Sequence, residues 1–165
     1  MELWDAYDKD FNKIEGMTLL RSEEAKIPDG VYHLVCDVFV RHADGTFLLM
    51  QRDPEKKHPL MWEASAGGSA LKGESPFECG IRELREETGI AASELTEVRR
   101  NVGKFNHSVY VGFFCETDCD KQSIVLQKGE TVDYRWVTKE ELLSMGEDEL
   151  LTKWVREFVE ERGTR

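Results

Sequence analysis

A helix with a marked start and a marked stop constrains the fold of this chain more than any other feature. The segment reads SPFECGIRELREETG, from Ser75 to Gly89. Ser75 suits the N-cap, Pro76 the first helical position, and Glu78 the place where a capping box needs an acid. Gly89 is a natural C-terminal stop. The sequence therefore predicts a helix over residues 76–88.

Three acids, Glu83, Glu86 and Glu87, crowd the last turns of this helix. Like charges three and four residues apart repel, and the C-terminal end of a helix favours cations. A solvated surface is one interpretation, and a bound divalent cation, which removes both objections, is the other. An oxygen-only cluster suits Mg²⁺ or Mn²⁺. On a helical wheel the opposite face, which we expect to pack on a sheet, carries Phe77, Ile81, Leu84 and Thr88.

Length and charge limit the remaining possibilities. The 165 residues fit a single domain over 1–165, in which residues 1–30 read as an N-terminal hairpin and a connector. A formal net charge of -11 argues against a nucleic-acid partner, because such binding needs a basic surface. The start has no basic leader and no apolar run approaches membrane length, so we expect a cytoplasmic protein without a membrane partner.

The strand and helix pattern predicts an α/β fold. HLVCDVFV (33–40) and TFLLMQ (46–51) read as antiparallel strands joined at Asp44-Gly45. Further strands are predicted in SELTEVRR, SVYVGFFCE and TVDYRWV, and helices in TKEELLSM and ELLTKWVREFVEER. The last helix has an apolar stripe that includes Trp154, Val155 and Phe158. This order favours a mixed sheet between helical layers.

The residues around the helix resemble the Nudix box at every fixed position. Gly68, Glu74, Arg82 and Glu83 have its spacing, and the remaining positions are occupied up to Ile90. The resemblance to Nudix hydrolases implies an α/β/α sandwich with a mixed β-sheet and a loop-helix-loop metal site. It also implies metal-dependent cleavage of a diphosphate bond in a nucleoside diphosphate linked to another group, by water attack at phosphorus.

The same resemblance implies roles for individual residues. Glu83, Glu86 and Glu87 match the metal ligands, and Glu83 is also the candidate general base. Arg82 matches the arginine that orients these carboxylates, and Glu74 the outlying acid that binds or tunes the metal. The carbonyl of Gly67 or Gly68 is a further candidate ligand, with Gly68 preferred. A later loop supplies another acid in some members, for which Glu130 is the first candidate here and Glu116 the second.

A basic cluster precedes Trp62 in this acidic chain and consists of Arg52, Lys56, Lys57 and His58. It reads either as a solvated loop or as a clamp for substrate phosphate. We expect Arg52 and one of the lysines, with Lys57 chosen for the test, to bind a small-molecule diphosphate substrate. A homodimer is possible because dimers are the commonest assembly.

The flanking segments are similar to the branch of the superfamily that includes isopentenyl diphosphate isomerase. Aligned on Trp62, Gly67 stands where that enzyme has its reactive cysteine, and Ser69 where it has a histidine. His33 is a further candidate match, although a lone strand histidine is more often a hydrogen-bonded core residue. Three functions therefore stay open: a hydrolase, which the complete box favours, an isomerase-like enzyme, and a nucleotide-binding module without catalysis.

Overall fold

The computed structural model describes residues 1–162 and begins with a separate two-stranded sheet. Strand β1 (Leu3–Tyr7) runs antiparallel to β2 (Lys13–Leu20), and a short 3-10 helix follows over Arg21–Lys26. Trp4, Leu19 and Ile27 are buried in a small apolar cluster of this region. The N-terminal segment thus has its own core, and its strand β1 contacts the first strand of the main sheet.

The main sheet is mixed. The seven strands are β3 (His33–His42), β4 (Phe47–Arg52), β5 (Trp62–Glu63), β6 (Ser65–Ser69), β7 (Thr96–Val102), β8 (Ser108–Thr117) and β9 (Thr131–Val137). The order is β5-β4-β3-β8-β7, with β6 paired to β3 and β9 to β4. Only β3 and β8 are parallel, and the other pairs are antiparallel.

The sheet opens between β3 and β4. The two strands pair at Arg41 and Phe47, next to the predicted Asp44-Gly45 turn, which confirms that they are antiparallel neighbours. Farther from the turn, β3 pairs with β6 and β4 pairs with β5. Segment 62–69 therefore fills the gap and brings Gly67 and Gly68 into the centre of the sheet.

Helix α1 (Pro76–Thr88) has the predicted bounds and caps. Ser75 Oγ accepts a hydrogen bond from the Glu78 amide at 3.2 Å, and Glu78 Oε2 accepts one from the Ser75 amide at 2.8 Å. Gly89 takes the left-handed conformation at φ 78°, and its amide donates to the Arg85 carbonyl at 2.9 Å. Pro76 stands at the first helical position, so all four local signals are confirmed.

The buried face of α1 agrees with the predicted one at Leu84 and Thr88, and Ile81 is half-buried, but it differs elsewhere. Phe77 is 43% exposed, whereas the buried residues are Cys79, Gly80, Leu84, Glu87 and Thr88. A Cβ added to Gly80 would lie 2.9 Å from Leu95 Cδ1 and 3.2 Å from Phe113 Cδ2. The helix therefore packs closely on Leu95 and Phe113 at Gly80, while Phe77 faces outward and Glu87 inward.

A second helical layer covers the opposite face of the sheet. It consists of α2 (Lys139–Ser144) and α3 (Lys153–Arg162), and Val155 and Val159 are buried against Phe39 and Phe114. Alternate residues of β3 face opposite layers: Phe39 packs under α3, whereas Val38 and Val40 belong to the cluster under α1. The α/β/α sandwich with a mixed sheet is therefore confirmed.

Helix α3 begins later than the predicted ELLTKWVREFVEER segment. Before it, the Leu151 amide donates to the Trp62 carbonyl at 2.9 Å, and the Trp62 amide donates to the Glu149 carbonyl at 2.8 Å. A bridge between Leu150 and Trp62 of β5 thus keeps this stretch out of the helix. No helix in residues 1–162 has the length and apolar character needed to cross a membrane.

Candidate active site

Arg82 is the centre of the acidic cluster on α1. Its guanidinium donates to Glu74 twice, from Nε to Oε1 at 2.6 Å and from Nη2 to Oε2 at 2.9 Å. Nη1 donates to Glu83 Oε1 at 2.6 Å and to Glu86 Oε2 at 3.3 Å. Nη2 also donates to the Ser69 carbonyl at 3.0 Å. One arginine therefore links the helix, the loop before it and strand β6.

The three helix glutamates differ in burial. Glu87 is 8% exposed and accepts a hydrogen bond from the Gly67 amide at 3.3 Å. Burial, and then the nearby Glu63 and Glu83, raise the pKa of Glu87 well above its ordinary value. Burial also raises the pKa of Glu83 in spite of the Arg82 contact, while Glu86 lies at the exposed rim. Arg82 alone therefore does not offset the burial and mutual repulsion of these acids, which favour the protonated forms of Glu83 and Glu87.

Two glycines form the floor below these acids. A Cβ added to Gly68 would lie 2.7 Å from the Glu83 carboxylate carbon, so the carboxylate rests directly on the strand. The Gly68 carbonyl, the expected extra ligand, accepts a contact from the Cys79 thiol at 3.6 Å. Position 68 therefore requires glycine first of all because any side chain there would collide with Glu83.

The acids share a cavity of about 320 Å³ with cations from distant segments. Arg21 follows directly on strand β2, and Lys56 comes from the loop after β4. Glu130, the first candidate among later acids, lies in the same wall and forms an ion pair with Lys56. The cavity therefore has an acidic side on α1 and a side that carries two cations.

Several predicted residues lie elsewhere. Glu116 is 63% exposed and pairs with Arg41 at 3.2 Å, so it is remote from this cavity. Lys57 is exposed and is not part of the cavity lining. Arg52 is also outside the lining, because its Nη1 donates to Glu63 Oε1 at 2.6 Å and its Nε to the Lys57 carbonyl at 2.7 Å. The geometry does not favour Arg52 and Lys57 as the phosphate clamp.

Two cavity residues of the N-terminal hairpin escaped the sequence interpretation. Arg21 Nη1 donates to Glu2 Oε2 at 2.8 Å, and both residues line the cavity. The register of β1 and β2, with Leu3 opposite Leu20, places them side by side. The hairpin was visible in the sequence, but its position against α1 has no local signal.

The side chains that line this cavity include candidate ligands for a divalent cation. Within residues 1–162, no three His, Cys, Asp or Glu side chains are already arranged as a metal-binding group. Arg82 holds Glu83 and Glu86 in the described arrangement. The chemistry nevertheless fits Mg²⁺ or Mn²⁺, because the cavity offers several carboxylates and no sulfur or imidazole ligand in its lining.

His33 belongs to the core of the N-terminal region. It is 3% exposed and stacks on Trp4 with the ring centroids 4.1 Å apart. Its Nε2 lies 2.9 Å from Ser108 Oγ and its Nδ1 3.3 Å from Ser69 Oγ. Burial lowers the pKa of the His33 imidazole, so the neutral ring is favoured. The hydrogen-bonded core interpretation fits these contacts.

A capped carboxylate helix, packed on a glycine strand of a mixed sheet, defines the class of protein. The family model described as NUDIX domain matches residues 31–162, and the chain belongs to this family. An uncharacterised Nudix hydrolase of Listeria monocytogenes is 36% identical over 147 residues, which cover 86% of this chain and 83% of that protein. The family implies hydrolysis of phosphorus-containing anhydrides in general.

Two further comparisons concern a sequence relative and the fold. An isopentenyl-diphosphate Delta-isomerase of Dinoroseobacter shibae is 30% identical over 146 residues, which cover 82% of each chain. The crystal structure of DR0079 from Deinococcus radiodurans has the same fold, with a TM-score of 0.72, 21% identity and coverage of 97% and 98%. The prediction of a Nudix hydrolase from the branch similar to the isomerase is confirmed.

Proposed function

We propose that this protein uses Mg²⁺ or Mn²⁺ and water to cleave the diphosphate bond of a nucleoside diphosphate linked to another group. One observation supports this most strongly: a single cavity has arginine-organised carboxylates on one side and two cations on the other. Carboxylates suit a hard divalent cation, and cations suit the phosphates that share its coordination. This distribution of charge is complementary to a diphosphate with a bound metal ion.

Glu83, Glu86 and Glu87 are the residues that would hold the cation, and Glu74 contributes through Arg82. When bound, the ion neutralises phosphate charge, polarises the phosphoryl oxygens and lowers the pKa of water. Two hydrogen bonds to Glu74 hold the Arg82 guanidinium in place, and the guanidinium in turn orients the carboxylates of Glu83 and Glu86. Arg82 thus acts as a positioning residue in this proposal.

Glu83 is the first candidate for the general base. Its Oε1 accepts from Arg82 at 2.6 Å, which leaves Oε2 free to take a proton from the attacking water. As the new P–O bond forms, the bond from that phosphorus to the bridging oxygen breaks and the second phosphate leaves. Glu130 is the alternative base, since it lies across the same cavity.

Arg21 and Lys56 are the proposed phosphate ligands. Both line the cavity, and their side chains reach it from outside the carboxylate helix. Arginine can grip two phosphate oxygens, whereas lysine acts as a point charge. Lys56 thereby takes the position first proposed for Lys57.

An isomerase reaction has less support. A Cβ at Gly67, the position of the isomerase cysteine, would collide with the Cys36 carbonyl and lie 2.5 Å from Asp37 Oδ1. The chain therefore has no thiol there and no room for one without a backbone shift. A non-catalytic module has less support because every glutamate of the box is present.

The test is incubation with Mg²⁺, or separately Mn²⁺, and a panel of candidate substrates, with products identified by mass. The panel contains nucleotide sugars, ADP-ribose, dinucleoside polyphosphates, NADH, coenzyme A, nucleoside triphosphates and isopentenyl diphosphate. Metal-dependent cleavage that is lost in both Glu83→Gln and Glu86→Gln is expected. Isomerisation of isopentenyl diphosphate, or nucleotide binding without any cleavage, would reject the proposal.

A further inference from the structure

A second cavity, of about 450 Å³, lies between the sheet and the start of α3 and shares no lining residue with the carboxylate cavity. Its lining includes Asp37, Glu63, Arg99, Asn101, Tyr110 and Trp154. Gly67 connects the two cavities: its amide donates to Glu87, and its missing Cβ leaves Asp37 Oδ1 in contact with the strand. A single glycine backbone therefore separates the carboxylate helix from the second cavity.

The second cavity is rich in hydrogen-bond acceptors without partners. Among residues 1–162, Asp37 makes no hydrogen bond or ion pair through its carboxylate, and the Asn101 Oδ1 atom is buried without a donor. Glu63 accepts from Arg52 at one oxygen only, Oε1 at 2.6 Å. Unpaired acceptors in a partly desolvated cavity cost free energy until a donor arrives. The cavity is therefore suited to a ligand that donates hydrogen bonds.

Aromatic groups line the same cavity. The Arg99 guanidinium lies 5.5 Å from the centroid of the Trp154 ring, and Tyr110 accepts a hydrogen bond from Asn106 Nδ2 at 2.7 Å. Lys153 is the other cation of the lining. Because aromatic and guanidinium planes favour stacking, the cavity suits a flat polar ring better than a flexible hydrocarbon chain.

We propose that this cavity binds the base of the nucleoside diphosphate substrate and selects a base with an exocyclic amino group, such as cytosine or guanine. The inference rests on the proposed hydrolase function and names the substrate class of that site. Carboxylates accept well from amino groups of this kind, while uracil and hypoxanthine lack them. An isoprenoid tail would leave Asp37, Glu63 and Asn101 unpaired and is disfavoured.

The first experiment compares substrates that differ by that amino group. The pairs are CDP-glucose with UDP-glucose, and GDP-mannose with IDP-mannose, each assayed with Mg²⁺. Burial, and then the nearby Glu63, raise the pKa of Asp37 to about 7, so the assay is run at pH 8, where this carboxylate is ionised. A charge-assisted hydrogen bond then predicts at least about a tenfold higher kcat/KM for the amino-bearing substrate in one or both pairs. Equal values in both pairs, or higher values for the substrates without the amino group, would overturn the inference.

Two variants locate the selectivity. Asp37→Asn removes the negative charge and puts an amide donor in its place, whereas Asn101→Leu removes the amide oxygen, and each is expected to reduce the preference to less than about threefold. Asp29→Asn removes an exposed acid outside both cavities and should keep the full preference. Thermal unfolding of each variant separates lost selectivity from lost structure, and a preference that survives in both folded variants would reject the assignment.

A binding measurement distinguishes failure of this inference from failure of the hydrolase proposal. Metal-free wild-type protein is titrated with CMP, UMP, GMP and IMP by calorimetry. Tighter binding of CMP than UMP, or of GMP than IMP, that disappears in Asp37→Asn would support the cavity even if no substrate is cleaved. Cleavage without base preference, or a failure of the protein to bind any of the four nucleotides, would overturn the cavity assignment.

Discussion

Arg82 and Glu74 are joined by two hydrogen bonds, with Nε 2.6 Å from Oε1 and Nη2 2.9 Å from Oε2. The pair ties the middle of α1 to the loop before it. Mutual contact raises the pKa of Arg82 and lowers that of Glu74, so both groups stay charged. Because the same guanidinium also contacts Glu83, the orientation of the Glu83 carboxylate, the proposed general base, depends on the Arg82–Glu74 pair.

Replacement of Arg82 by lysine should reduce kcat about ten- to a hundredfold and change KM less. A lysine keeps the charge, but it loses the planar fork that binds Glu74 and Glu83 together, which is worth roughly 1.5–3 kcal/mol. Steady-state kinetics would measure the effect. Arg85→Lys is the matched control, because Arg85 lies on the same helix and is exposed. An unchanged kcat in Arg82→Lys would contradict the positioning role.

Alanine at Gly67 and at Gly68 should have different consequences. At Gly67 the new Cβ meets the backbone of β3, so we expect a loss of stability of about 1–3 kcal/mol. At Gly68 it meets the end of the flexible Glu83 side chain, so the fold should persist while activity falls at least about tenfold. Urea unfolding and kinetic assays of both variants would measure the two effects. Equal stability loss at both positions would reject the distinction.

Lys56→Ala should raise KM about tenfold, whereas Lys57→Ala should leave KM unchanged. The two lysines are neighbours of the same charge, but only Lys56 lines the cavity beside Glu130. A lost charge-assisted contact to phosphate of about 1.5 kcal/mol gives the stated factor. The reverse pattern, with KM raised by Lys57→Ala alone, would restore the interpretation made from the sequence.

His33 should make the protein less stable as the pH falls below about 6.5, its ordinary pKa. Burial lowers the pKa of the folded imidazole, so in this range the unfolded chain binds a proton that the folded chain does not. The free energy of unfolding therefore falls with decreasing pH, by at most about 1.4 kcal/mol per unit from this group.

The check is urea unfolding between pH 5 and pH 7.5 in wild type and His33→Gln. The variant loses stability at every pH because the stack on Trp4 is weakened. Its dependence on pH in this range should nevertheless be shallower than that of wild type. Parallel curves would show that His33 does not contribute to the acid sensitivity.

Local features of this protein could be read from the sequence. The bounds of α1 depend on Ser75, Pro76, Glu78 and Gly89, whose hydrogen bonds reach no farther than four residues along the chain. Five of the seven strands of the main sheet and the antiparallel pair at Asp44-Gly45 follow from equally short patterns, whereas β5 and β6 were not predicted as strands. The roles of the box residues in metal binding and catalysis stay predictions, although the structure brings Glu74, Arg82 and Glu83 together.

The face that α1 buries could be read only in part. A helical wheel ranks side chains by polarity, and it correctly placed Leu84 and Thr88 in the core but wrongly placed Phe77 there. The structure instead buries Glu87 and packs Gly80 against Leu95 and Phe113. Those partners lie beyond the helix in sequence, and no pattern within residues 76–88 contains them.

The sequence by itself determined the type of fold and the presence of a capped helix with an arginine and three glutamates in fixed spacing. Only the tertiary structure decided that Lys56 rather than Lys57 lines the cavity, that Arg21 reaches it from the hairpin, and that Arg52 is paired with Glu63. The physical reason is the separation along the chain between the residues that interact. Capping and helix spacing depend on bonds between near neighbours, whereas burial and charge pairing depend on segments that meet only after the sheet has formed.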